Sequence, residues 1–155
     1  MRVCSPSLLF LSTVAGPPAR IFGIEVGGPC DCPAFVLVEL EHEQSEAEIR
    51  VFERREHQHV GWVALDVVRY RCWSDRLLSL EVQFDTEDGD TVRNALVRQW
   101  GAHVQPDPWT DVYRWERGEG PTVCLDYTDA GVLTVTDPTL QVGWEHSLTR
   151  VLWLD

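Results

Sequence analysis

From Val60 to Pro138 the chain reads as two strands, one short helix and three further strands, and that order restricts the folds open to it. Val60 to Arg69 and Leu77 to Phe84 are rich in Val, Leu and aromatic residues, with Trp73-Ser74-Asp75 as the turn between them. Asp85 to Asp90 is polar and predicts a loop. Thr91 then stands where an N-cap belongs, ahead of Val92, Ala95, Leu96 and Trp100 at helical spacing, and Gly101 is a natural stop. Asp111 to Trp115, Thr122 to Tyr127 and Val132 to Thr136 follow as strands, separated by Gly118-Glu119-Gly120-Pro121 and Asp129-Ala130-Gly131. Short antiparallel connections around one helix predict a single α+β domain over residues 20–155, with an antiparallel sheet and the helix Val92 to Trp100 on one face.

Upstream the pattern is looser. Ile21 to Phe35 is punctuated by Gly23, Gly27, Gly28, Pro29 and Pro33, which predicts a loop-rich entry. Phe35 to Leu40 is a β-rich apolar run that turns alternating at Glu39 and Glu41, hence a strand, and His42 to Ala47 is a turn. Glu48 to Arg55 fits a strand with Ile49 and Val51 inward, or a helix running from Glu43. The tail, Gln141 to Asp155, carries Leu148, Val151, Leu152 and Leu154 and is expected to dock on the domain.

The first nineteen residues differ from the rest. Arg2 precedes the apolar run Leu8-Leu9-Phe10-Leu11, Thr13-Val14-Ala15 offers small residues for cleavage, and Pro17-Pro18 follows. This is the shape of a secretory signal peptide over residues 1–19, too short for a membrane span. The other reading of the segment is an N-terminal strand, Ser7 to Val14, in a cytoplasmic protein. Removing the leader removes Cys4 and leaves Cys30, Cys32, Cys72 and Cys124, an even number. Cys30 and Cys32 are too close to pair with each other, so each is expected to pair with Cys72 or Cys124. The expected bridges are Cys32–Cys72 and Cys30–Cys124. Free buried thiols, or a metal site from Cys30, Cys32 and a His, are the alternatives, although Cys-Asp-Cys is a poor zinc spacing.

The formal net charge is −12, which disfavours nucleic acid and suits a basic protein partner or a cationic ligand. Seven Trp residues are spread along the chain, most expected in the core and one or two as exposed anchors. Among them Trp109 follows Pro106-Asp107-Pro108, a stiff loop, and precedes Asp111. Trp109, Asp107 and Asp111 are therefore the candidate binding residues; the alternative is that Trp109 folds back over the end of the sheet.

Chemical motifs are absent from the residues. Counted from Asp85, Gly89 is fifth and Leu96 twelfth, so the acidic loop fails the EF-hand pattern. His57 and His59 alternate on one strand face but lack a third ligand nearby. No Ser lies in a nucleophile elbow, and no Gly-rich phosphate loop precedes a helix. No catalytic residue, cofactor or metal site is predicted.

The entry Ile21-Phe22-Gly23-Ile24-Glu25-Val26-Gly27 followed by Cys32-Pro33 resembles the mature start of small exported bacterial proteins that open with an FGIxxG phrase, largely of unassigned function. Trp100-Gly101, Tyr113-Arg114-Trp115 and Val123-Cys124-Leu125-Asp126-Tyr127 also look like pieces of that group, over residues 20 to 137. The resemblance implies an α+β plan similar to periplasmic binding modules of the β-lactamase-inhibitor-like and outer-membrane-assembly-lipoprotein kinds. It carries over no catalytic residue, and the lipobox Cys is missing. The expected function is a non-catalytic, periplasmic or secreted protein-binding module. Its rivals are a cytoplasmic acidic antagonist or immunity-type protein that covers a basic site, and an enzyme with a metal or carboxylate site assembled across the sheet.

Overall fold

The structure, a computed structural model, describes residues 20–21, 24–31, 35–54, 58–60, 62–65, 67–116, 118 and 120–153. The expected leader, Cys32 and His57 lie outside the described residues. In chain order the elements are β1 (Arg20–Ile21), β2 (Ile24–Glu25), β3 (Phe35–Glu41), β4 (Ile49–Arg54), β5 (Gln58–Val60), β6 (Val63–Leu65), β7 (Val67–Trp73), β8 (Arg76–Phe84), α1 (Gly89–Trp100), β9 (Val112–Trp115), β10 (Thr122–Asp126), β11 (Gly131–Thr136) and α2 (Pro138–Trp153). Seven strands form one antiparallel sheet in the order β3-β4-β7-β8-β11-β10-β9, so β3 and β9 are its edges. The sheet dominates, and helices accompany it, in keeping with the coarse expectation of an antiparallel sheet with a packed helix.

Strand alternation puts Val68, Tyr70, Leu80, Val82, Leu133, Val135, Val123, Leu125, Tyr113 and Trp115 on one face, and all are buried. α1 joins that core through Val92, Ala95, Leu96 and Trp100, which recur at helical spacing. Trp100 meets Trp115 edge to face at 6.0 Å. Each large apolar side chain so buried contributes roughly 1.5–3 kcal/mol relative to exposure. Gly101 ends the helix at φ 85°, its N–H donating to the Val97 carbonyl at 2.8 Å. The start differs from expectation. Thr91 lies inside the helix, the cap position falls on Asp88, and Asp85 to Asp90 is not a plain loop. A single 3-10 turn, Thr86–Asp88, leads in, capped by Asp85, whose carboxylate accepts from the Glu87 N–H at 3.0 Å. The helix can begin this early because Gly89 lies directly against the Tyr127 ring, where a Cβ would clash.

The second helix was not expected. Asp137 caps α2, its carboxylate accepting from the Leu140 N–H at 2.9 Å, and Pro138 takes the first helical position. α2 covers part of the opposite sheet face, where Leu140 packs with Ile49, Val51 and Leu78. Leu78 reaches that face because the β7–β8 register shifts beside Cys72: Leu77 pairs with Cys72 and Ser79 with Arg71, leaving Leu78 as the extra residue. Two indoles then clamp the β3–β4 turn. Trp73 Nε1 donates to the Glu46 carbonyl at 2.8 Å, and Trp144 Nε1 to the Ala47 carbonyl at 3.1 Å. Gly143 lets the helix approach this closely, since a Cβ there would stand 3.0 Å from the Trp73 ring.

Two further expectations change. The predicted strand Val60 to Arg69 is split into the β5–β6 hairpin and the start of β7. Among its described residues Val60, then Val63 and Leu65, then Val68 are buried, and no unbroken strand can turn that series to one face. Of Glu48 to Arg55, left open between strand and helix, Ile49–Arg54 forms strand β4, paired on both sides.

The expected bridges Cys32–Cys72 and Cys30–Cys124 give way to a disulfide between Cys30 and Cys72, Cα atoms 6.2 Å apart. Cys30 is delivered there by its own backbone: its N–H donates to the Asp75 carbonyl at 3.0 Å, and Pro29 bridges to Arg76. Cys124 is a free thiol. It sits on β10, with β8 and β11 between it and β7, a separation of roughly 14 Å against the ~7 Å limit for a disulfide.

Candidate interaction surface

The candidate binding residues lie at the β9 edge. Val104 runs back along the outside of β9, its N–H donating to the Arg114 carbonyl at 2.9 Å and its carbonyl accepting from the Arg114 N–H at 2.8 Å. The chain thereby caps that edge of the sheet with itself. The loop that follows is tied at its base and across its middle. Gln105 Nε2 donates to the Thr110 carbonyl at 2.9 Å. Asp107 folds the tip: its Oδ1 accepts from the Trp109 N–H at 3.0 Å, and its carbonyl accepts from the Thr110 N–H and hydroxyl, both at 3.2 Å. Pro106 and Pro108 fix two φ angles in between.

Trp109 emerges from this frame 91% exposed. It does not fold back over the sheet. Asp107 and Asp111 flank it, and both are exposed. Each spends one carboxylate oxygen inside the protein, Asp107 on Trp109 and Asp111 on the Tyr113 hydroxyl at 3.4 Å. Among the described residues no hydrogen bond is made by the second oxygen of either, so both keep an acceptor toward solvent. The three residues named from the sequence thus stand together on one loop.

Below the loop lies an aromatic stack that sequence reasoning missed. His103 stacks on Tyr113 at 4.7 Å, and Tyr113 on Tyr127 at 5.7 Å. The Arg93 guanidinium lies over the Tyr113 ring at 5.1 Å, donates to its hydroxyl at 2.8 Å, and stands 3.5 Å from Asp90. The Tyr127 hydroxyl donates to Asp90 at 2.8 Å. Burial first, and then hydrogen bonding with Tyr113 and Asp90, push the Tyr127 phenol well above its ordinary range, so it stays protonated and acts as a donor. The Tyr127 hydroxyl therefore serves the stack as a hydrogen-bond donor to Asp90. Arg93 comes from α1, His103 from the segment after it, Tyr113 from β9 and Tyr127 from just past β10, too far apart in sequence for any local motif to mark.

Trp62, at the turn of the β5–β6 hairpin, and Trp153, near the end of α2, are also exposed. Only Trp100 and Trp115 are fully buried, while Trp73 and Trp144 are the half-buried clamp, so the expectation that most Trp residues are core is corrected. Elsewhere a polar cavity of about 330 Å³ lies over the disulfide, with Glu46, Glu48, Arg50 and Asp75 in its walls. Arg50 is shared by Glu48 at 3.5 Å and Asp75 at 4.0 Å, and Glu46 is paired with Arg150 at 3.4 Å, so the carboxylates of this cavity are engaged by cations of the chain itself. Among the described residues no three His, Cys, Asp or Glu side chains converge as a metal site, and no helix is long and apolar enough to cross a membrane. No protein-family model, no curated protein and no solved structure matches this chain.

Proposed function

We propose that this chain is a non-catalytic protein-binding module of α+β plan that acts outside the cytoplasm and engages a partner with a basic surface through the Trp109 loop. The carrying observation is a rigid loop that holds a large aromatic side chain 91% exposed between two carboxylates. An aromatic on a pre-ordered loop loses little conformational entropy when it docks. Asp107 and Asp111 add acceptors suited to Lys or Arg around it, and the net charge of −12 favours encounter with a basic protein. The Cys30–Cys72 disulfide supports an oxidising compartment and so favours export over a cytoplasmic antagonist.

Trp109→Ala is the test. Because the side chain is exposed, its removal is expected to leave stability within ~0.5 kcal/mol. Loss of partner capture, read by affinity purification from extracytoplasmic extract against the unaltered chain, is expected to be large, since such anchors carry ~2 kcal/mol or more. A melting temperature that drops steeply, or an interactome that does not change, would reject the reading.

A further inference from the structure

We propose that the outer edge of β3 is a strand-addition site for an extended segment of a partner protein in which apolar residues alternate with Lys or Arg. Among the described residues β3 pairs only with β4, so alternate backbone N–H and C=O groups along Phe35–Glu41 face outward without a strand beside them. Val36, Leu37, Val38 and Leu40 are 38% to 50% exposed on this edge. A row of large apolar side chains on an open strand edge is the surface that β-augmentation uses.

The register specifies the occupant. Leu37 stands opposite Phe52 and Leu40 opposite Arg50, on the core face of the sheet. Glu39 stands opposite Val51 and Glu41 opposite Ile49, on the α2 face. The irregularity between Leu37 and Glu39 resets the alternation: Leu37 and Leu40 share the core side, while Val36, opposite Glu53, precedes Glu39 and Glu41 on the α2 side. Glu41 is held by Arg71 at 2.7 Å, whereas Glu39 is exposed and makes no ion pair among the described residues. An added strand that continues both sides puts apolar residues beside Leu37 and Leu40 and cations beside Glu39, which is a two-residue repeat. A second copy of this chain is disfavoured: a paired β3 edge would set Glu39 and Glu41 of both copies on one face, between bodies each carrying −12. This site lies at the opposite end of the sheet from the Trp109 loop and does not depend on it.

A short synthetic peptide alternating Val and Lys, matched in length to β3, is titrated calorimetrically into the full chain at low salt. Saturable binding is expected. N-methylation of the alternate amides that face β3 is expected to abolish it, because the ladder is lost while the charge is kept. Glu39→Lys, at an exposed position, is expected to weaken the Val–Lys peptide by about tenfold and to strengthen a Val–Glu peptide. Trp109→Ala is expected to change neither, which separates this site from the loop. No binding by the Val–Lys peptide would overturn the proposal. So would binding that survives N-methylation, or a dimer in sedimentation that Leu37→Lys dissociates.

Discussion

The two edges of the sheet manage the same problem in opposite ways. An edge strand exposes unpaired backbone groups and invites other chains. At β9 the chain itself comes back, and Val104 closes the ladder against Arg114. The residues beyond it are stiffened by Asp107 and two prolines, and they stand on a stack of His103, Tyr113 and Tyr127. The large aromatic that remains accessible there is Trp109, between the exposed Asp107 and Asp111. At β3 nothing among the described residues pairs with the outer side, and the exposed surface is a row of aliphatic side chains with acidic neighbours. If the proposals above hold, recognition at the first edge rests on a side chain, and at the second on backbone pairing with charge setting which sequences fit.

The largest expected effect breaks the support at the β9 edge. Trp115 is 2% exposed, meets Trp100, and donates from its indole to the Gly101 carbonyl at 3.1 Å. Trp115→Ala is expected to cost about 3–5 kcal/mol in urea unfolding. Leu37→Ala at the β3 edge, half exposed, is expected to cost less than ~1 kcal/mol. Equal losses would mean that the edges are built alike.

Next comes the β3 side of the sheet, where the Cys30–Cys72 bridge spans a sequence separation of 42. The double variant Cys30→Ser, Cys72→Ser is expected to lose ~3–4 kcal/mol by the chain-entropy account. Peptide mapping is expected to find these two cysteines joined and Cys124 open to alkylation. A Cys32–Cys72 peptide would show that the pairing described above is wrong.

The smallest effect concerns Tyr127. Its folded-state phenol is raised, so the folded chain keeps a proton that the unfolded chain releases above about pH 10. The stability this supplies is complete below that pH and declines as the pH rises further. Tyr127→Phe is expected to lose ~1 kcal/mol near neutral pH, from the missing hydrogen bond to Asp90. The gap between parent and variant should narrow above about pH 10. A gap that does not move with pH would assign the loss to packing alone.

Several of these features were legible in the residues. Leu77 to Phe84, Asp111 to Trp115, Thr122 to Tyr127 and Val132 to Thr136 read as strands from their Val, Leu and aromatic content and the turns between them, and α1 from the stripe of Val92, Ala95, Leu96 and Trp100. Asp137-Pro138, ahead of the apolar tail, is a helix-start signal in the residues themselves. The buried series Val60, Val63, Leu65, Val68 changes parity twice, which already forbids one strand. The loop residues Asp107, Trp109 and Asp111 were found together because local turn chemistry, two prolines and an Asp, acts over a few residues.

By itself the sequence determined the elements whose causes are local: strand alternation, the helical stripe, the Gly101 stop and the stiff Trp109 loop. These depend on interactions between residues a few positions apart, which composition and spacing record. Only the tertiary structure decided which cysteine meets Cys72, because the choice between Cys30 and Cys32 turns on a backbone bond to Asp75 and the Pro29–Arg76 bridge. It also decided that β3 and β9 are the edges, that α2 covers the face opposite α1, and that Arg93, His103, Tyr113 and Tyr127 form one stack. Those outcomes depend on the order in which seven strands pair, and strand order is set by the summed burial of the whole chain rather than by any one segment.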